Sequence, residues 1–210
     1  RATWRTRDGN FSLNGLLGFD MHGKTAGIIG TGKIAKILIQ ILRGFGMNIL
    51  AYDLYPDYNF AREHQVVYTS LDELYHSSDI ISLHCPLTEQ TKYLINDYSI
   101  SKMKDGVMII NTGRGQLIHT NALIEGLKNK KIGSAGLDVY EEEGDYFYED
   151  KSDRIIDDDV LARLLSFNNV IVTSHQAFFT HEALENIAST TLQNIKDFAE
   201  NKSLANEVKV

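Results

Sequence analysis

Seven short runs rich in β-branched and other apolar residues recur along the chain, each followed by a polar or helix-periodic stretch: "TAGII", "NILAYD", "QVVY", "DIISLHC", "GVMIIN", "GSAGLDV" and "NVIVTS". Strands that are apolar almost without alternation are expected where helices cover both faces of a parallel sheet, because crossover connections put helices there. The pattern therefore predicts an α/β fold built on a doubly wound parallel sheet. A chain of 210 residues with 43% hydrophobic content suffices to bury its core. Cap signals agree with the rhythm. Ser70 with Glu73 predicts a capping box before "LDELYHSS", and the Thr120 hydroxyl is placed to accept a hydrogen bond at the head of "NALIEGLKNKK", a helix that stops before Gly133. No internal repeat or low-complexity linker interrupts the pattern.

The two ends depart from it. "RTRDGNFSLNGLLGFD" reads as a helix end and a surface loop without a strand, and the last thirty residues read as one long helix with a polar tail. The chain opens at Arg1, without a methionine and partway through a predicted helix, so a segment upstream is expected that both ends would join. No apolar run approaches the roughly 20 residues of a membrane span, and the start lacks the layout of a secretion signal. Cys85 is the single cysteine, which excludes an internal disulfide framework and a cysteine-based zinc site and suits a reducing cytoplasm; no metal is expected. The net charge of −7 is local: residues 141–159 hold ten acids against Lys151 and Arg154, a charge of −8, so the remainder carries +1. That balance offers no basic face to nucleic acid.

Gly30-Thr31-Gly32-Lys33-Ile34-Ala35 follows the strand "AGII" and opens a helix, the context required of a dinucleotide-binding loop. Gly30 allows the tight turn, Gly32 lets backbone approach a pyrophosphate at the positive helix N-terminus, and alanine takes the third, helix-packing position. Asp53 ends the second strand eighteen residues after Ala35, where a carboxylate accepts the ribose hydroxyls. It would repel a 2′-phosphate, and "LYPDYNF" beyond it brings no lysine or arginine, so NAD is favoured over NADP. A glycine turn of some other α/β domain, or a methyltransferase holding an adenosyl cofactor in a similar loop, fits these residues too.

Nicotinamide chemistry needs a proton donor and a cation for substrate oxygen. Of seven histidines, His22, His64, His76 and His181 fall in loops or on polar helix surfaces and His119 in a polar stretch before a helix, whereas His84 and His175 both end apolar strands. Ligands of open α/β sheets bind beyond the carboxyl ends of the strands, so either is a candidate acid/base. Arg114, in a turn after "GVMIIN", lies at the same edge and suits a carboxylate, or a salt bridge. Glu143 follows "GSAGLDVY", in line to orient an imidazole and favour its charged form.

In order along the chain, "GIIGTGKIA", "SLHCPLT", "MIINTGRGQLI", "GLDVYEEE" and "TSHQAFFT" resemble the D-2-hydroxyacid dehydrogenases over nearly the whole length. "HQAFFT" and the acidic "EGDYFYEDKSDRIIDDD" are most similar to the bacterial D-lactate dehydrogenases within that family. The resemblance implies a Rossmann-like NAD-binding domain over 1–179, and over 180–210 a C-terminal helix and tail of an otherwise missing substrate domain. It implies His175 as acid/base, Glu143 as its partner, Arg114 on the substrate carboxylate and carbonyl, and reduction of a small 2-keto acid, pyruvate, by NADH. Gly30, Gly32, Lys33 and Ile34 would hold the pyrophosphate, Asp53 the ribose, and Cys85, Pro86 and Thr91 the adenosine. Thr112, Gly113, Arg114 and Asp138 would surround the nicotinamide, leaving His84 a structural part. Phe178 and Phe179 would wall the substrate methyl. The family implies a homodimer through the cofactor domain. Two departures stand out: His119 replaces an aspartate usual in the family, and the upstream segment is missing, so these 210 residues are expected to bind NADH and turn pyruvate over poorly. Two alternatives remain: a dehydrogenase for a bulkier or phosphorylated 2-hydroxyacid, and an NAD-gated binding protein of corepressor type.

Overall fold

The computed structural model describes residues 2–145, 147, 148, 150 and 155–208; residues 146, 149 and 151–154 of the acidic segment, with Arg1 and the last two residues of the tail, lie outside them. All seven predicted strands form, with polar ends trimmed: β1 Thr25–Ile29, β2 Asn48–Tyr52, β3 Val66–Tyr68, β4 Ile80–Leu83, β5 Val107–Asn111, β6 Ile132–Leu137 and β7 Val170–Val172. They make one sheet in the order β3-β2-β1-β4-β5-β6-β7, every pair parallel. The helices are α1 Ala2–Arg7, α2 Lys33–Gly44, α3 Tyr58–His64, α4 Leu71–Ser77, α5 Asp97–Lys102, α6 Thr120–Lys128, α7 Asp159–Ser166 and α8 His181–Ala199.

The continuous apolar runs are explained by two cores on opposite faces. Ile29, Ile81, Leu83 and Ile109 join one with α4, α5 and α6, while Ala26, Ile28, Ile80 and Ile49 join the other with Ala35, Ile39 and Leu42 of α2. Neighbouring residues of one strand thus serve different cores, each fully buried isoleucine contributing about 1.5–3 kcal/mol.

Strand order reverses between β1 and β4, the switch point where α/β sheets open a crevice. Register makes that crevice sharp. Tyr52 pairs with Ile29, Ile29 with Leu83, Leu83 with Asn111, Asn111 with Leu137 and Leu137 with Val172, so six strands end on one line. The next residue on each is Asp53, Gly30, His84, Thr112, Asp138 or Thr173.

Two cap expectations are corrected. The Ser70 hydroxyl does accept from Glu73 N–H at 3.2 Å, but the Glu73 carboxylate accepts from Ser77 rather than reaching back, so the box is half formed. A complete box lies instead at Asn96 and Ser99, ahead of α5. Thr120 is not an acceptor for α6: it is the first helical residue, and its hydroxyl and N–H donate to Glu141 Oε2 at 2.8 and 3.3 Å. A carboxylate from the loop after β6 therefore satisfies the head of α6, the task an aspartate at position 119 would perform. Helix α8 forms the long helix expected of the C-terminal end, headed by a Thr180 cap that accepts from Ala183 N–H, yet buries none of its nineteen residues. Among the described residues no helix is long and apolar enough to cross a membrane.

Candidate active site

The loop after β1 is shaped by two glycines with different constraints. Gly30 has φ +89°, and a Cβ there would stand 2.5 Å from Cys85 N and 2.6 Å from His84 C, so only glycine lets the β1 and β4 loops touch. Gly32 faces open space. It is also the N-cap of α2 and makes no side-chain cap bond, leaving the first-turn N–H groups of a twelve-residue helix available to an anion. Those groups open onto a cleft of about 720 Å³ lined by Gly32, Lys33, Ile34, His84, Cys85, Pro86, Thr112, Gly113 and Arg114. A second hollow of about 320 Å³ shares Gly32, His84, Cys85 and Pro86 and runs on past Gly30, Asp53, Tyr55 and Thr91. All the cofactor residues named above except Asp138 thus line one two-part groove, whose shape and donors fit an extended dinucleotide.

Asp53 is held firmly. Its Oδ2 accepts from Thr31 N–H at 2.6 Å and the Thr31 hydroxyl at 2.8 Å, and Oδ1 accepts from Tyr55 N–H at 2.9 Å. Burial works to raise its pKa, but the bonds from Tyr55 and Thr31 outweigh it and hold the carboxyl below the ordinary aspartate range. Burial pushes the Cys85 thiol up and the His84 imidazole down, which favours the uncharged form of each. The Thr91 hydroxyl donates to Pro86 O at 2.6 Å and accepts from Thr88 N–H at 2.8 Å, fixing the turn that walls the smaller hollow.

Beyond β5, Asn111 supports the arginine turn from beneath: its Oδ1 accepts from Gly113 N–H at 3.0 Å and its Nδ2 donates to Arg114 O at 2.9 Å. The Arg114 guanidinium is exposed, with Nη1 donating to Gly113 O at 2.8 Å. Sequence reasoning missed Asn111; a polar residue closing an otherwise apolar strand was its signal. Gly115 was missed as well. A Cβ at Gly115 would fall 2.0 Å from Tyr140 O and 2.6 Å from Glu141 N, so the arginine turn rests directly on the loop after β6.

That loop carries Glu143, whose Oε1 lies 3.1 Å from His175 Nδ1 and whose Oε2 accepts from Tyr140 N–H at 3.2 Å. An ionised carboxylate only accepts, so Nδ1 holds the proton in this bond, which leaves Nε2 as the ring nitrogen outside it. His175 itself sits at φ +53°, a left-handed conformation costly for a residue with a side chain. Asp138 maintains it. The Asp138 carbonyl accepts from His175 N–H at 2.7 Å, and its carboxylate accepts from the Thr173 hydroxyl and from the N–H groups of Gln176 and Ala177. Burial opposes ionisation of Asp138, yet these donors and the neighbouring His175 keep its carboxyl below the usual range. Both its oxygens are committed to the histidine loop, so the side chain shapes that loop. The Tyr148 hydroxyl adds a bond to His175 O at 3.3 Å that no sequence signal announced. Of the two histidine candidates, His175 is thus the one joined to an acid, whereas His84 pairs with the Ser82 hydroxyl at 2.9 Å in the cleft wall.

Residues 1–177 match the family model described as D-isomer specific 2-hydroxyacid dehydrogenase, NAD binding domain. The chain is 55% identical over 208 residues to a D-lactate dehydrogenase of Escherichia coli, covering 99% of this chain and 63% of that protein. Among solved structures it resembles the pyruvate reductase of Chlamydomonas reinhardtii, with TM-score 0.93 and 45% identity over 98% of this chain and 62% of that one. It also resembles a D-lactate dehydrogenase with NAD+ from Lactobacillus jensenii, with TM-score 0.88 and 31% identity over the whole of this chain and 63% of that one. The chain therefore spans somewhat less than two thirds of the length of these relatives. On the match over 1–177 and the shared fold, the chain belongs to the D-isomer specific 2-hydroxyacid dehydrogenase family, whose NAD-binding domain it carries.

Proposed function

We propose that the whole protein is a D-lactate dehydrogenase, reducing pyruvate reversibly to D-lactate with NADH. The observation that carries this reading is the hydrogen bond between His175 and Glu143, on the same carboxyl edge of the sheet as the groove that begins at Asp53. The groove would hold NADH, and the chemistry the cofactor would supply there is hydride donation to the keto carbon. His175, oriented through Nδ1 by Glu143, gives a proton from Nε2 to the keto oxygen, which becomes the hydroxyl, and takes it back in the reverse direction. Arg114 grips the substrate carboxylate and draws charge onto the keto oxygen. Gly30, Gly32, Lys33 and Ile34 seat the pyrophosphate, Asp53 the ribose, and Cys85, Pro86 and Thr91 the adenosine. Thr112, Gly113 and Asp138 border the nicotinamide. Phe178 and Phe179, edge to face with centroids 6.1 Å apart, suit a methyl group better than a phosphate.

Residues 1–179 are read as the cofactor domain and 180–210 as an element of a substrate domain. The uncovered Leu184, Ile187, Leu192, Ile195 and Phe198 of α8 and the greater length of the relatives support this division. A homodimer in the cytoplasm is the assembly we assign, the dimer on the exposed stripe of Ile37 and Ile41 of α2 and its C-cap Phe45. The test is NADH oxidation by the whole protein against a panel of 2-keto acids. Pyruvate should show the highest kcat/KM by about tenfold or more over phosphorylated and branched analogues. Preference for one of those would reassign the substrate, and NADH binding without oxidation of any would favour a binding protein.

A further inference from the structure

Asp53 does not stand alone at the ribose end of the groove. Its partner, the Thr31 hydroxyl, accepts from Tyr68 OH at 2.9 Å, and that same phenol oxygen accepts from Asp57 N–H at 3.1 Å. Asp57 is the N-cap of α3, its Oδ1 accepting from Phe60 N–H at 3.0 Å. Its other oxygen, Oδ2, pairs with Lys36 Nζ at 2.5 Å, while the same ammonium sits 5.1 Å above the Phe60 ring. Lys36 lies in the first turn of α2, directly after the Ala35 of the glycine loop. A cation thus belongs to the hydrogen-bonded network that reaches Asp53, and it is tied down by a carboxylate and an aromatic face. Lysine is a point charge on a flexible stem, so its position is set by whichever anion holds it.

We propose that Asp57 is a specificity-determining residue for the cofactor: by holding Lys36 in an ion pair it withholds from NADPH the one cation this network contains, and so adds a second barrier behind Asp53. The inference rests on the reading of Asp53 as the ribose anchor. It separates two effects that Asp53 alone merges, repulsion of the phosphate and denial of a partner for it. Asp57→Ser removes the charge while keeping a good N-cap for α3.

The experiment is fluorescence titration of the whole protein with NADH and with NADPH. Asp57→Ser should leave NADH affinity unchanged and raise affinity for NADPH about three- to tenfold, the scale of one partly exposed ion pair. Asp53→Ser combined with Asp57→Ser should raise the NADPH-to-NADH ratio further, and adding Lys36→Met to Asp57→Ser should cancel the gain. An unchanged ratio in Asp57→Ser and in the Asp53→Ser, Asp57→Ser pair would overturn the proposal. So would a gain that survives Lys36→Met, which would mean plain relief of repulsion. If Asp53→Ser alone leaves NADH affinity untouched, the ribose reading itself fails and the proposal falls with it.

Discussion

Replacing His175 with alanine in the whole protein should lower 2-keto acid reduction by about 10²–10⁴-fold, the usual contribution of a positioned acid/base, while NADH affinity stays within about twofold. The split follows from placement. The imidazole is held by Glu143 and by the Asp138-supported loop, and neither hollow that would receive the dinucleotide is lined by His175. His84→Ala provides the contrast. Its backbone abuts Gly30 and the residue lines both hollows, so its loss should weaken NADH binding more than the proton step. Steady-state rates with a parallel fluorescence titration read both quantities. Equal losses of rate and NADH affinity in His175→Ala would contradict the assigned role.

Gly115→Ala should be nearly as damaging although no atom of that residue takes part in chemistry. The new Cβ would meet Tyr140 O at 2.0 Å, a backbone atom that no rotamer change can move aside. Either the arginine turn or the loop leading to Glu143 has to retreat by about 1 Å, and a shift of that size typically costs about 10²-fold in rate. Strain of this kind also destabilises the fold by several kcal/mol. The measurement is kcat/KM alongside a thermal melt. A variant with unchanged melting temperature and unchanged kcat/KM would show that the two loops are not packed as described.

What could be read from the residues in advance, and what could not, divides along a physical line. The seven strands announce themselves because each serves two cores and is therefore apolar at successive positions, as at Ile28 and Ile29. Gly30, Gly32 and Asp53 are legible because loop and acid are set by one local unit of strand, helix and strand. Positions fixed by distant chain are not. The capping of α6 by Glu141, twenty-one residues from Thr120, carries no local signal, and neither does the contact of Gly115 with Tyr140. Without the family resemblance His84 and His175 look alike, because Glu143 is thirty-two residues from its partner. The left-handed backbone of His175 was hidden for another reason: such conformations are expected of glycine, and here Asp138 imposes one on a histidine. Asp138, expected beside the nicotinamide, also shapes the His175 loop through its hydrogen bonds, and that part of its work carried no local signal.

Arg114, Glu143 and His175 are proposed to converge on one small acid beside the nicotinamide. A crystal structure of the whole protein with NADH and oxamate, an unreactive isostere of pyruvate, tests it most directly. The oxamate carboxylate should lie on the Arg114 guanidinium, with its carbonyl oxygen within hydrogen-bond reach of His175 Nε2 and Glu143 still on Nδ1. Oxamate bound away from Arg114, or a His175 ring turned from the ligand with Glu143 detached, would contradict it.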